Sequence, residues 1–461
     1  MRASDHRDIW HRYRMTRREF LRHYGIAAGA LTLSPFFIER FASVCRAEAS
    51  LARVYQAKNG SDCFAGVSKL WELLGGARRF IDPTDVVVIK ANAQWPNQGY
   101  THTGCIKAVI DALLALPGFS GEVLLCDNIQ GGGNGSGNYG FDVPVGKRVN
   151  NWPDMNWNEL GAYYRSQGKP VGVVQWSNDS TWRTPPGSLP CFSTWDPARG
   201  NGWTRYFFTL NGRNIYVSAP VFASPVTAGR MIDMKNGVWE GGAYTGRRVK
   251  ALFMPTLNNH DSSGGKEDYA GLTGAVKSFL GASELYHGLP YADDYVWNGF
   301  YNIHAGGFSK SEPETTGQMI GTFINNLYAP VLYITPAIYS GWFNRTATEG
   351  AAYTNTVLAC TDPVSLDYIA GRDVISKCGS PRPTWLDPST RNNNTWRQLL
   401  GCNSQGIGTV EPAQLELVTH DFNTPSTPRL EVERKIRDFR TGAAAESEVK
   451  DSINRYMDSK P

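Results

Sequence analysis

Residues Asp85–Asn128, DVVVIKANAQWPNQGYTHTGCIKAVIDALLALPGFSGEVLLCDN, decide the fold. The stretch Asp85–Asn92 is a run of β-branched apolar residues of the kind found in strands buried on both faces. After a polar loop through Trp95, Pro96 and Gly99, the segment TGCIKAVIDALLAL puts Ile106, Val109, Ile110, Leu113 and Leu114 on one helical stripe, which Pro117-Gly118 ends. EVLLCDN is then a second buried strand, ending at Asp127. Strand, helix and strand at this spacing make a βαβ unit and predict a parallel pair. Asn92 and Asp127 then fall at the carboxyl ends of neighbouring strands, where open α/β sheets bind ligands.

Leu252–Gly281, LFMPTLNNHDSSGGKEDYAGLTGAVKSFLG, brings a third strand to the same edge. It breaks at Pro255, runs through a glycine-bearing loop with His260 and Asp261, and is expected to re-enter order as an amphipathic helix from Leu272 to Leu280 holding Lys277. Downstream, PVLYITPAIY and NTVLAC read as strands. DPVSLDYIAGRDVI reads as a helix with Asp362 as N-cap, Pro363 at its first position and Asp367 in its first turns. Together these segments predict an α/β fold over residues 50–430: a mostly parallel sheet with flanking helices, doubly wound and Rossmann-like. An irregular or β subdomain rich in Trp, Asn, Gly and Pro is expected as an insertion at about residues 130–210. Its candidate strands are KPVGVVQW and TRYFFTLNG, and its tryptophans are read as local core more than as a stacking surface. Residues 431–461 read as a charged helical tail.

The chain has 461 residues, 41% hydrophobic and 19% charged, with a formal net charge of +4. Several of those positive charges lie in the first fifty residues, so neither nucleic acid nor a polybasic membrane patch is implied. Met15–Leu31, MTRREFLRHYGIAAGAL, carries Thr16, the pair Arg17-Arg18, Phe20 and Leu21 ahead of a mildly apolar run. With the small-x-small triplet Ala47-Glu48-Ala49, this is the pattern of a twin-arginine signal peptide over residues 1–49. It predicts delivery to the periplasm by the twin-arginine (Tat) translocase. No stable membrane span is expected after cleavage, because the apolar run is short and contains Pro35.

Eight cysteines include Cys45 in the leader, and none forms a C-x-x-C pair, so no iron–sulfur cluster motif is present. Cys126 and Cys360 end apolar runs and read as buried thiols. Cys378 and Cys402 could bridge in an oxidising compartment, although spacing assigns no partners. The run GGGNGSGNYG after Asp127 lacks the G-x-x-x-x-G-K-S/T spacing of a phosphate loop and reads as a lid or plain loop. No G-x-S-x-G elbow and no G-x-G-x-x-G after the first strand occur, which disfavours a serine hydrolase and a Rossmann dehydrogenase.

Four segments resemble the family catalogued as domain of unknown function 362: VVVIKAN with its Thr-His and helix, the strand ending at Asp127, LFMPTLNNHD followed by GLTGAVKSFLG, and CTDPVSLDYIA. The resemblance covers roughly residues 84–375 and implies the α/β fold more than a function, since the family has no generally established reaction. Asn258 stands where relatives often carry lysine before the histidine, and Ser278 where they carry asparagine. Thr335 or Pro336 replaces a frequent aspartate, and the ferredoxin cysteines of some relatives are missing.

Two chemistries are open at the strand ends. Asp127, His260, Asp261 and Asp367 could hold a divalent metal. Alternatively, His260 acts as a general base with Lys277 stabilising an oxyanion. His102, just ahead of a helix N-terminus, is a second catalytic candidate, and Asn92 and Thr101 are candidates for cofactor binding. The plainer reading is that His260 orders its loop, the carboxylates cap helices and Lys277 is a solvated helix residue. The functional expectations are a metal- or cofactor-dependent enzyme acting on a small anionic or hydroxylated substrate, a non-catalytic binding protein, or an accessory subunit of an envelope redox complex.

Overall fold

The computed structural model describes residues 51–128, 140–143, 155–176, 194–260, 270–284, 296–297, 299–303, 311–424, 435 and 445–458. In chain order the elements are β1 (Ala52–Lys58), α1 (Cys63–Leu74), β2 (Val86–Ala91), α2 (Thr103–Leu114), β3 (Glu122–Asp127), α3 (Trp157–Ser166), β4 (Val171–Gln175), β5 (Gly202–Leu210), β6 (Arg213–Ala223), β7 (Met231–Asp233), β8 (Gly237–Glu240) and β9 (Ala243–Tyr244). There follow β10 (Val249–Met254), β11 (Asn258–Asn259), β12 (Leu272–Thr273), β13 (Val296–Trp297), β14 (Phe300–Tyr301), α4 (Pro313–Asn326), β15 (Leu332–Gly341), β16 (Ala351–Cys360), α5 (Pro363–Ile369), α6 (Asn394–Ser404), β17 (Leu415–Asp421) and α7 (Glu446–Asp458).

The main sheet runs β17-β1-β16-β15-β10-β2-β3-β4, with the short β11 and β12 attached beside β15. From β15 to β4 every pairing is parallel, whereas β16 runs antiparallel to both β15 and β1. All six residues of β2 and all six of β3 are buried, as expected of strands covered on both faces. Their period-two alternation sorts the core into two layers. Val87, Ile89, Val123 and Leu125 pack with α1 and α2 through Val67, Leu70, Ile106, Val109, Ile110 and Leu113. Val86, Val88, Leu124 and Cys126 face the other way, towards the layer holding Met319, Ile320 and Phe323 of α4 and Leu399 of α6.

A second sheet, antiparallel except for the parallel β14–β6 pairing, has the order β13-β14-β6-β7-β8-β9, with β5 also paired to β6. It is the inserted β subdomain, but it extends past residue 210 to Tyr244 and takes in residues 296–301. Val171–Gln175, expected within the insertion, is instead β4, the edge strand of the main sheet beside β3. Trp157, Trp176, Trp195 and Trp203 are all buried, consistent with local core. The buried Arg205 on β5 joins this sheet to the strand-end segment by donating from Nε and Nη2 to the Glu284 carboxylate, at 2.8 and 2.6 Å.

The expected helix from Leu272 to Leu280 is not formed. Leu272–Thr273 pairs antiparallel with Asn258–Asn259, and a 3₁₀ helix covers Lys277–Ala282. The apolar positions that suggested a helical stripe are buried together with Lys277 and Ser278, so the segment has no solvent face to define. Phe279 anchors it among Phe253, Phe323 and Tyr333, with ring centroids 4.7, 5.1 and 6.3 Å away. Asp367 on α5 accepts the N–H groups of Ala275 and Val276 at 2.7 and 2.9 Å. Gly274 permits that approach, since a Cβ there would lie 2.3 Å from Asp367 Oδ1. Among the described residues, no helix is long and apolar enough to cross a membrane.

Candidate functional site

The carboxyl ends of β2, β3 and β10 lie near His260, just after β11, and the loop after β15, and several expected residues converge there. Asp127 is buried and ion-paired with the equally buried Lys90, Nζ to Oδ1 3.2 Å, and its Oδ2 accepts the N–H of Ala93 at 2.8 Å. Lys90 Nζ also donates to Ser278 Oγ at 3.0 Å. Burial pushes the Asp127 carboxyl up and the Lys90 ammonium down, against the attraction between them. Asp367 is pushed up to about 7, first by burial, while the amides of Val276 and Ala275 favour its charge.

Thr101 Oγ1 accepts the Asn92 N–H and donates to the Met254 carbonyl, both at 2.8 Å. It therefore ties the loop after β2 to the end of β10 and leaves its hydroxyl engaged with backbone. Asn92 Oδ1 is buried and has no hydrogen-bond partner among the described residues.

His260 follows β11 directly and is half-buried. Its Nδ1 lies 2.7 Å from Thr273 Oγ1, and its Nε2 lies 3.3 Å from Arg345 Nη1. A guanidinium only donates, so Nε2 accepts and the imidazole proton sits on Nδ1, directed at Thr273. The Arg345 guanidinium stacks 4.1 Å from the Trp95 ring centroid. Lys277 donates to the Ala270 carbonyl, next to the Gly271 carbonyl that receives the His260 N–H at 3.1 Å. His260 and Lys277 therefore meet on adjacent residues, with Lys277 buried where a solvated lysine was the plainer expectation.

Around this edge lie buried amide side chains. Gln98 Nε2 donates to the carbonyls of Asn344 and Ala347 at 2.9 and 2.6 Å, and Asn258 Nδ2 donates to Thr256 Oγ1 at 2.9 Å. Their oxygens, Gln98 Oε1 and Asn258 Oδ1, are buried and have no hydrogen-bond partner among the described residues. The two side chains flank Gly341, where a Cβ would lie 2.6 Å from Gln98 Cγ and 2.8 Å from Asn258 Cβ.

Among the described residues, Asp127, His260 and Asp367 of the expected metal set do not come together as one group. Asp127, His260 and Asp367 each hold the different partners given above, and Asp261 lies outside the described residues, as do the glycine-rich run, His287 and His304. Among the described residues, the His, Cys and carboxylate side chains that do come together are Cys63, His102 and Cys105, with donor atoms all within 4.8 Å of one another and all three residues buried. This group could hold a metal ion. His102 is the N-cap of α2, its Nδ1 accepting the Cys105 N–H at 3.2 Å. Cys63 begins α1, whose N-cap Asp62 accepts the Ala65 N–H at 2.8 Å. The spacing His102-x-x-Cys105 at a predicted helix start was visible in the sequence, but nothing local tied Cys63 to it. The six cysteines Cys63, Cys105, Cys126, Cys360, Cys378 and Cys402 are all free and buried, so the suggested bridge between Cys378 and Cys402 is not formed.

No protein-family profile, curated protein or solved structure matches the chain.

Proposed function

We propose that the chain is an exported α/β protein whose ligand site is the carboxyl edge of the main sheet around His260, and that the ligand is a small hydroxylated molecule bearing an acidic group. The observation that carries this reading is the pair of buried oxygens, Gln98 Oε1 and Asn258 Oδ1, which have no donor among the described residues. A buried acceptor left unsatisfied costs about 1–3 kcal/mol, which hydroxyl donors of a ligand would recover. Arg345, held in place by His260, supplies the complement for an acidic group, and Trp95 offers a ring face beside it. Asp127 and Asp367 are structural supports of the edge, and a metal, if one binds, would sit at Cys63, His102 and Cys105. The twin-arginine leader, the periplasmic address and the resemblance to the domain of unknown function 362 family belong to this same reading.

Glycerate, gluconate and glycerol phosphate, tested by thermal shift on the wild-type chain, should include at least one stabilising compound. At about a hundredfold excess over its Kd a ligand adds about 2.7 kcal/mol. The shift should vanish in Arg345→Ala and shrink in His260→Ala. No shift with any of the three, or a shift indifferent to both substitutions, sinks the site. Turnover of the stabilising compound makes the protein an enzyme, whereas stabilisation without turnover makes it a binding protein. Replacing Arg17 and Arg18 by lysine should hold the protein in the cytoplasmic fraction, and unchanged periplasmic recovery would remove the export reading.

A further inference from the structure

We infer that Cys63, His102 and Cys105 form a zinc site, holding a Zn²⁺ ion through two thiolate sulfurs and the Nδ1 of His102. The inference rests on the metal position named in the reading above. It is independent of the ligand edge around His260, so either can fail without the other.

The site joins two separate segments. Cys63 is the first residue of α1, whereas His102 is the N-cap of α2 and Cys105 lies in its first turn. Their donor atoms all lie within 4.8 Å of one another. The Cys63 thiol is in hydrogen-bond contact with both the Cys105 thiol and the His102 ring. Tetrahedral zinc, with Zn–S about 2.3 Å and Zn–N about 2.0–2.1 Å, sets S···S at about 3.8 Å and S···N at about 3.6 Å. The three side chains therefore need to close by roughly an ångström, which small rotations supply.

The donor set selects the ion. Thiolate and imidazole suit Zn²⁺ and Cu⁺, whereas Mg²⁺, Ca²⁺ and Mn²⁺ take oxygen ligands. Both thiol protons leave on binding. Two thiolates and a neutral imidazole then cancel the charge of Zn²⁺, but would leave Cu⁺ as a net anion. That difference matters here, because Cys63, His102 and Cys105 are only 6%, 5% and 0% exposed. The neighbouring Asp62 carboxylate adds no further ligand, since it caps α1 by accepting the Ala65 N–H at 2.8 Å.

The imidazole already has the tautomer that ligation needs. His102 Nδ1 accepts the Cys105 N–H at 3.2 Å, so it carries no proton and faces the first turn of α2. Coordination takes over that lone pair, exchanging one long hydrogen bond for a metal bond while the ring proton stays on Nε2. Three protein ligands leave the fourth tetrahedral position to a single water, the arrangement of zinc sites that bind a small ligand rather than of closed structural ones.

The test uses the full chain without a histidine tag, loaded with Zn²⁺, dialysed against metal-free buffer and measured by elemental mass spectrometry. The expected result is about one equivalent of zinc. Co²⁺ loaded in its place should give the intense absorption of a tetrahedral thiolate–cobalt centre. Cys63→Ser, Cys105→Ser and His102→Asn should each weaken zinc binding by at least about a hundredfold, beyond the loss expected of a merely supporting residue. His102→Asn keeps an oxygen that can cap α2, so zinc lost there with the helix content unchanged by circular dichroism separates ligation from capping. No zinc retained by the wild-type chain overturns the proposal, as does copper in its place or zinc retained by all three variants. So does a Cys63–Cys105 disulfide that persists after reduction and zinc loading. Wild-type zinc content and the cobalt spectrum decide the matter even if a variant fails to fold.

Discussion

The strand-end edge and the thiol group are built from opposite materials. The edge draws Lys90, Asp127, His260, Ser278, Arg345 and Asp367 from segments far apart in sequence and holds them by charge and by hydrogen bonds to backbone. The thiol group draws on the first turns of two helices packed on the same face of the sheet and holds two sulfurs and one ring in near isolation from water. Removing a charge from the edge should therefore disturb the whole fold, whereas changing the thiol group should alter chemistry more than stability.

The largest effect should follow Asp127→Ala, which leaves the Lys90 ammonium buried and uncompensated and should cost about 3–5 kcal/mol in denaturant unfolding. The double replacement Asp127→Ala with Lys90→Met should recover much of that loss, and a single substitution costing under about 1 kcal/mol would erase the contrast. Asp367 gives the edge a pH signature. Its carboxyl rises from 3.8 to about 7 in the folded protein, so the folded state binds more protons in that interval. The stabilisation is complete below about pH 4 and is lost as pH rises through about 7, by a few kcal/mol. Asp367→Asn should flatten that slope, and an unchanged slope would move the titration elsewhere. Gly341→Ala should cost about 1–3 kcal/mol and abolish ligand stabilisation, because its methyl group meets the Asn344 carbonyl and crowds Gln98 and Asn258. At the thiol group, His102→Ala should cost about 1 kcal/mol through the lost cap, and His102→Asn less than that. Arg248→Ala breaks an exposed pair with Asp82 and should stay within about 0.5 kcal/mol, setting the scale against which the others are read.

The βαβ unit was legible because β2, α2 and β3 state their periods plainly: two uninterrupted apolar runs and one helical stripe. Asp362 was legible for a local reason too, since its side chain accepts the Val364 N–H two residues away at 2.9 Å. Leu272–Leu280 misled because burial on every side erases the polar half of an amphipathic pattern. The second sheet was blurred because β7 to β9 are strands of two to four residues, too short for alternation to register. At the edge, His260 and Lys277 could be singled out as residue types, but Arg345 could not, because its place beside His260 depends on where the loop after β15 returns. Cys63 escaped notice for the same reason, since only the packing of α1 beside α2 brings it to His102.

The position of β1 has a consequence for how the chain is made. Residues 52–58 lie between β16 and β17, so their hydrogen-bonding partners are residues 356–359 on one side and 415–421 on the other. A nascent chain emerging from the ribosome carries this strand about three hundred residues ahead of its partner in β16 and further still ahead of β17. Such distant pairing makes for slow folding. A signal that engages its transporter only after the fold is complete would suit a chain whose first strand is among the last to find its place.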